Sequence, residues 1–357
     1  AGQNTPGALG QNDRTMHSSP VQIYGGGSTW SEIQTPNAGS RPVALKTDGT
    51  LWVWGNDADG SLGLNDQTAR SSPTQIGSDT DWTVFAAGTN SALAVKTDGT
   101  LWAWGNNTWG QLANVQHTAY KARSSPIQIP GEWSQNISAD ASISAAVKTD
   151  GTLWMWGSNS NGRMGQNRSY SPNYKAYSSP VQVGSDTTWS TSKGHLHVSS
   201  GSIAIKTDGT LWTWGYNGAG GLGLNNTTTY SSPVQVGSDT TWDYVMIFGG
   251  SSAAVKTDGT LWSWGYNGGG MLGHNNQTTY SSPKQVGSGT DWSKIWQNET
   301  VSAGLKTDGT AWMWGRNDQK GQQGHNNLTN YSSPKQVPGN YIWLDINNYN
   351  AGFIKEL

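Results

Sequence analysis

Apolar and polar residues alternate on both sides of a short polar turn, and the pattern returns along the chain as Lys-Thr-Asp-Gly-Thr-Leu-Trp-x-Trp-Gly. It spans Lys46 to Gly55, Lys96 to Gly105, Lys148 to Gly157, Lys206 to Gly215, Lys256 to Gly265 and, with Ala311 in place of Leu, Lys306 to Gly315. Alternation about Asp-Gly predicts a β-hairpin whose turn is type I′, with both central residues at positive φ. With Asp48-Gly49 as a two-residue loop, Leu45 faces Trp52 and Val43 faces Trp54. Val43, Leu45, Trp52 and Trp54 then share one face, and Ala44, Leu51 and Val53 the other. The residue two before the Lys is always small: Ala44, Ala94, Ala146, Ala204, Ala254 and Gly304. The expectation is that the indole face of one sheet packs on the small-residue face of the next.

A second marker, Ser-Ser-Pro, begins at Ser18, Ser71, Ser124, Ser178, Ser231, Ser281 and Ser332. Each is followed by a Trp: Trp30, Trp82, Trp133, Trp189, Trp242, Trp292 and Trp343. The hairpin lysines are 50, 52, 58, 50 and 50 residues apart. A period near 50 with strand signals throughout predicts an all-β fold, a seven-bladed β-propeller forming one domain over 1–357, each repeat a sheet of four short strands. Pro at the start of the first of these strands suits an edge. Two residues past each Trp-Gly stands Asn or Asp (Asn4, Asp57, Asn107, Asn159, Asn217, Asn267 and Asn317), which is turn chemistry.

The ring is expected to close through a blade shared by the two chain ends, the 1–30 and 343–357 regions. Gly2 matches the Gly after Trp, and Ala351 to Lys355 matches the first hairpin strand, with Phe353 where other copies have Ala or Gly. Lys to Gly is nine steps within a complete copy but four across the termini (355, 356, 357, 1, 2), so five residues, the Trp-x-Trp strand, are missing. The expectation is that residues upstream of Ala1, or another chain, add a strand beside Ile354. An Ala at position 1 suggests a processed product or a piece of a longer polypeptide.

Composition changes this picture little. The chain is 33% hydrophobic, but its 21 Trp offset the shortage of aliphatic residues, since each indole buries a large area. Charged residues are 12% and the net charge is −2, so nothing electrostatic argues for nucleic acid. There is no Cys, hence no disulfide or thiolate metal site. No apolar run reaches the length of a membrane span.

The stretch Gly88 to Leu112, reading Gly-Thr-Asn-Ser-Ala-Leu-Ala-Val-Lys-Thr-Asp-Gly-Thr-Leu-Trp-Ala-Trp-Gly-Asn-Asn-Thr-Trp-Gly-Gln-Leu, resembles the repeat of the regulator of chromosome condensation family. The resemblance covers essentially the whole chain. It implies a seven-bladed propeller closed by both termini, but no one function, since the family includes an exchange factor for Ran, a secreted β-lactamase inhibitor, and bacterial and phage surface proteins. Neither an insertion like the exchange factor's wedge nor a basic tail is present, and the closely matched copies are nearest in style to bacterial and phage members.

Several candidate sites stand out from the repeat. The paired Trp residues suit sugar stacking, but their strand positions point to core. Trp109, Tyr216 and Tyr266 lie in loops after Trp-Gly and are candidate rim contacts. The long loops before Ser-Ser-Pro carry Tyr120, Lys121, Arg123, Tyr170, Tyr174, Lys175 and Tyr177, an aromatic and basic candidate interaction patch. His195-x-His197 puts two imidazoles on one side of a strand without a third ligand, and Asp57-Ala58-Asp59-Gly60 lacks the later Glu of a calcium loop. The hairpin Lys and Asp residues should form a solvated ring on one rim. No catalytic constellation is visible, and no cofactor or metal is expected.

The sequence therefore predicts a non-enzymatic protein-interaction propeller, extracellular or on a virion surface, as a tail, fibre or capsid-surface component. A secreted lectin-like or inhibitor-type binder of a soluble protein or glycan is the alternative, and a nucleotide-exchange factor is the least favoured. Protein partners, a strand-addition seam at Gly2, Phe353 and Ile354, no nucleic acid and no membrane insertion complete the expectation.

Overall fold

The computed structural model describes residues 4, 7–15, 22–23, 29–36, 41–113, 122–168, 176–317, 323–325, 327–346 and 351–355. Strands dominate. The described residues contain no α-helix, only one 3-10 turn, Ser160–Gly162. They form six antiparallel sheets, five of four strands and one of five, in which order along the chain is order across the sheet. The sheets are the wedges of a β-propeller: each apolar cluster joins two consecutive sheets, and one joins the sixth sheet to the first.

Six sheets rather than seven is a correction to the sequence-based count, and its cause is a strand that does not end. Tyr331–Ile346 pairs first with Thr310–Gly315 and then, from Tyr341 on, with Ala351–Lys355, so the last two strands extend the sixth sheet. Ala351–Lys355 is the final strand of that sheet. Ile354 is half-buried against the cluster that holds Trp30 and Ile33. Gly2 and the Phe353 side chain lie outside the described residues.

Register corrects a second expectation. Val43 pairs with Val53, Ala44 with Trp52 and Leu45 with Leu51, one residue away from the two-residue-loop register. The turn has three residues, Thr47-Asp48-Gly49: Lys46 N–H donates to Thr50 O at 3.0 Å, Gly49 N–H donates to Lys46 O at 3.0 Å, and of the Asp-Gly pair only Gly49 has positive φ, +78°. This is a type I turn closed by a left-handed Gly, not type I′. A one-residue slip exchanges faces. The two indoles therefore share a face with Ala44, while Val43, Leu45, Leu51 and Val53 form the other.

The packing follows from that exchange. The aliphatic face of the first sheet meets Trp82, Phe85, Ala94 and Trp104 of the second. The small residue sits under the marker Trp of its own sheet: a Cβ on Gly304 would fall 2.5 Å from the Trp292 ring. The indoles of a wedge thus stack over its own small residue and press on the preceding wedge's aliphatics. At 150–250 Å² and about 25 cal/mol per Å², each buried indole supplies roughly 4–6 kcal/mol as an upper figure.

Polar groups of the motif are consumed by structure as well. The inner Trp of each wedge reaches back to the preceding wedge's loop: Trp104 Nε1–H donates to Ser61 O at 3.1 Å, Trp214 to Arg163 O at 2.8 Å and Trp264 to Gly221 O at 2.9 Å. The outer Trp52 donates to Thr50 Oγ1 at 2.8 Å, whose hydroxyl donates to Asp48 Oδ1 at 2.6 Å; Thr50 holds Asp48 below the usual carboxylate value. The hairpin lysines do not form a solvated ring as expected. Lys46 lies 4.9 Å from Trp30 and 4.1 Å from Trp52, and Lys96 lies over Trp82 and reaches Asp79 at 2.8 Å. Their stems cover the indoles.

The Asx after Trp-Gly is buried and pins the loop. Asn217 Oδ1 accepts from Leu222 N–H at 2.9 Å while Nδ2 donates to Thr228 O at 2.9 Å, and Asn267 repeats both contacts. Asp57 accepts from Leu62 N–H at 2.8 Å, but its Oδ2 is buried with no partner, where Asn would place its amide donor. Burial pushes the Asp57 carboxyl above its usual range. Asp57→Asn is expected to stabilise the fold by about 1 kcal/mol at pH 7. A raised carboxyl favours folding below its unfolded pKa and loses that as pH rises, so the gain, read by thermal melts, should shrink on acidification.

Candidate functional site

A cavity of about 130 Å³ lies on the propeller axis, walled by the innermost strands. Seven strands contribute: those beginning at Trp30, Trp82, Trp133, Leu196, Trp242 and Trp292, and the second half of Tyr331–Ile346. Strands packed edge to edge around an axis leave backbone donors unpaired by any sheet. One register position answers this, occupied by Gln34, Ser138, His197 and Asp345. Gln34 Oε1 accepts from Ala87 N–H at 2.9 Å, Ser138 Oγ from Val198 N–H at 3.1 Å, and His197 Nδ1 from Ile247 N–H at 3.4 Å. Asp345 Oδ2 accepts from the Thr35 amide, and from the Thr35 hydroxyl at 3.0 Å. The last pair joins the final strands to the first sheet, as does Trp343 Nε1–H to Ile33 O at 2.6 Å.

Burial of these groups shows in their acidity. Desolvation pushes the Asp345 carboxyl up to about 7, and lowers the His197 imidazole to about 4. His195-x-His197 is thus structural in geometry: His195 Nδ1 is 2.8 Å from Ser190 Oγ and its Nε2 is 3.5 Å from Asp243. No cluster of three metal-ligating residues occurs among the described residues.

Two residues earlier along the inner strands, another shared register position, paired with the residue before the hairpin Lys, holds Glu32, Val84, Tyr244, Lys294 and Trp343. This identifies a misassigned marker. Tyr341, not Trp343, pairs with the last lysine as Trp30, Trp82, Trp242 and Trp292 pair with theirs, and its N–H donates to Gly309 O at 2.7 Å as Trp292 N–H does to Gly259 O at 3.0 Å. Trp343 is instead a cavity wall. Lys294 lies 4.1 Å and Lys193 5.2 Å from its ring, and Lys193 crosses the axis to pair with Glu32. Lys193 belongs to the longest repeat, whose inserted residues carry it to the axis. The sequence reading missed this group, although the residue two after each marker Trp, Glu32, Val84, Tyr244 and Lys294, is where near-identical copies differ.

The rim aromatics are where the sequence placed them. Trp109 is 40% exposed, Tyr216 39% and Tyr266 46%. Tyr216 and Tyr266 occupy the same position on neighbouring wedges, and Arg316, exposed, takes it on the next. Each ring lies on its own loop, since a Cβ on Gly218 or Gly268 would fall under 3.0 Å from the phenol, whereas the Arg316 stem reaches back over Gly269 in the preceding wedge's loop. Trp109 stands two wedges before Tyr216. Of the outer patch, Arg123 and Tyr177 share one register position on adjacent outer strands, opposite Gly105 and Gly157, and Tyr177 leans on the core of the third and fourth sheets. Tyr120, Lys121, Tyr170, Tyr174 and Lys175 lie outside the described residues.

Repeated wedges, this hairpin and this Trp set define a propeller of one class, and comparison with known proteins agrees. The model of the regulator of chromosome condensation (RCC1) repeat matches residues 48–95, 98–147, 208–255 and 258–296, and a second model of the same repeat matches 83–111. The chain belongs to the RCC1 repeat family. It is 27% identical over 265 residues to the mitochondrial RCC1 domain-containing protein RUG3 of Arabidopsis thaliana, covering 66% of this chain and 58% of that protein, less than two thirds of its length. Among solved structures, human WBSCR16 is similar with a TM-score of 0.75 at 18% identity, covering 92% of this chain and 86% of that one. Prp20p of Saccharomyces cerevisiae is similar with a TM-score of 0.76 at 17% identity, covering 91% and 82%. At these identities the structural likeness concerns the fold alone.

These relatives overturn the expected extracellular or virion-surface location. The plant relative is a mitochondrial protein, and yeast Prp20p is a protein studied for binding Gsp1p and histones. The tail, fibre and capsid roles built on that location fall with it.

Proposed function

We propose that this chain is a non-enzymatic protein-binding propeller whose partner docks on the rim of Trp-Gly loops, across Tyr216, Tyr266 and Arg316. The observation that carries this is the placement of two exposed phenols and an exposed guanidinium at one position on three consecutive wedges, each supported from beneath by glycine backbone. Tyr and Arg dominate binding hot spots, and rings already held in place lose little entropy on docking. Related propellers bind proteins: yeast Prp20p is reported with Gsp1p and histones, and bound to Kap60. We read the ring as seven wedges, the last made of Tyr341–Ile346 and Ala351–Lys355, because seven inner strands wall the axis. The outer edge of Ala351–Lys355, last in its sheet, would then take an added strand.

The test places a photo-reactive phenylalanine at Tyr266 in the full chain and cross-links it in an extract of the source cells. A discrete protein adduct is expected, lost when Tyr216→Ser and Arg316→Ser are added while the melting temperature stays unchanged. Adducts that persist in that background, or form equally from Lys284 on an outer strand, would overturn the reading.

A further inference from the structure

The two ends of the axial cavity differ in charge. At one end Glu32 is buried and paired with Lys193, the one cation on the cavity wall among the described residues, and Lys294 stacks close by on Trp343 at 4.1 Å. At the other end Asp140 is half-buried and lines the cavity, and its carboxylate makes no ion pair or hydrogen bond among the described residues. Lys294 pairs one step before its hairpin Lys, whereas Asp140 N–H donates to Ile143 O, five steps before its own, so about 13 Å of strand separates the two levels. Arg163 feels the Asp140 charge, but its guanidinium is taken by Ser158 O, Ser199 O and Ser142 Oγ at 3.1, 2.8 and 2.6 Å. His197, lowered to about 4, and Asp345, also on the wall, offset none of this charge.

At the same level an amide stands unused. Gln297 pairs four steps before its hairpin Lys, is 3% exposed and lines the cavity, yet neither its Oε1 nor its Nε2 has a hydrogen-bond partner. Buried polar groups are rarely left unpaired, because removing them from water is costly unless a partner replaces it. Asp140 follows a strand of the third sheet and Gln297 ends one of the sixth, so they face the axis from different sides, and a molecule on the axis meets both. Phe248 at the level of Asp140 and Trp296 beside Gln297 add aromatic surface to the wall.

We propose that this end of the axial cavity binds a small organic amine, its ammonium paired with Asp140, with Gln297 supplying the polar contact across the axis and Trp296 and Phe248 the apolar wall. An ammonium answers what the site lacks: it neutralises a carboxylate that nothing else pairs, its N–H groups suit an amide oxygen that nothing else uses, and aromatic faces attract it. The cavity measures about 130 Å³, and a cavity of about 150 Å³ takes a benzene ring, so the ligand has about six non-hydrogen atoms. A metal ion is the poorer fit, since no cluster of three metal-ligating residues occurs among the described residues. The site uses none of Tyr216, Tyr266 and Arg316 and is tested separately from the rim.

Cyclopentylamine is the probe, with the neutral cyclopentanol of the same size as control, each titrated into the full chain by calorimetry at neutral pH. Saturable binding of the amine alone is expected. Asp140→Asn, which keeps the shape and removes the charge, should weaken it about tenfold or more, and Gln297→Met should weaken it about threefold. Tryptophan emission, followed in parallel, reports that each variant is folded. Equal binding of the alcohol, retention of full affinity by folded Asp140→Asn, or no cyclopentylamine binding by the wild-type chain would each overturn the proposal.

Discussion

Gly209→Ala is expected to destabilise the folded chain by about 3 kcal/mol or more, while Gly237→Ala, at a similar positive φ, should lose only about 1 kcal/mol. Gly209 has φ +77° and Gly237 φ +59°, so both ask an Ala to enter the left-handed region. What separates them is space. A Cβ on Gly237 meets nothing within 4 Å, whereas one on Gly209 falls under 3.0 Å from the Thr240 carbonyl oxygen, which belongs to the link into the next wedge. That link cannot retreat easily, since Trp242 N–H donates to Gly209 O at 3.4 Å and Thr257 N–H to Thr241 O at 2.8 Å. The same approach recurs at Gly49, Gly151 and Gly259. Thermal and denaturant melts of the two variants decide the point; equal losses would mean that φ alone makes the hairpin need Gly.

The Asp-Gly signal thus led to a correct hairpin by an incorrect turn. Composition identifies the turn but not whether Thr47 belongs to it, and with period-two side chains that single residue decides which face the indoles take. Repeat length, propeller class and the buried second Trp of each pair were legible because each copy restates them; the first Trp of each pair is only half-buried, under the hairpin Lys. The ring join was not: the marker spacing pointed to Trp343, and only pairing to the last lysine shows that Tyr341 fills the place. The axial group was hidden for the opposite reason. Its members, Glu32, Lys193, Lys294 and Trp343, come from strands far apart in sequence, and only closure brings them within reach of one another. The rim aromatics were visible as departures from the copies, yet their alignment with Arg316 on adjacent wedges needed coordinates.

Between about pH 4 and 6.5 Asp345 and His197 should act on the stability of the wild-type chain in opposite senses, so single substitutions at the two sites should tilt its pH dependence in opposite directions. Asp345 is raised from about 3.9 when unfolded to about 7 when folded, chiefly by desolvation, with Thr35 lowering it and Glu32 raising it. Its stabilising protonation is complete below the unfolded pKa and is lost as pH climbs through 7, about 4 kcal/mol in all. His197 runs the other way. Desolvation lowers it from 6.5 to about 4 against the pull of Asp140, so its contribution is present above 6.5 and disappears as pH drops through 4, about 3 kcal/mol. Across the shared window the folded chain gains a proton at one site and forgoes one at the other. Asp345→Asn keeps an acceptor for the Thr35 amide and should leave a protein that weakens on acidification, the more so because His195, His274 and His325 are also lowered. His197→Asn should instead tilt the dependence toward strengthening on acidification relative to the wild type, with Asp57 acting in the same sense and the remaining lowered histidines opposing it. Melting temperatures of the three proteins from pH 4 to 8 test this, and parallel curves would show that neither buried group titrates in the folded ring.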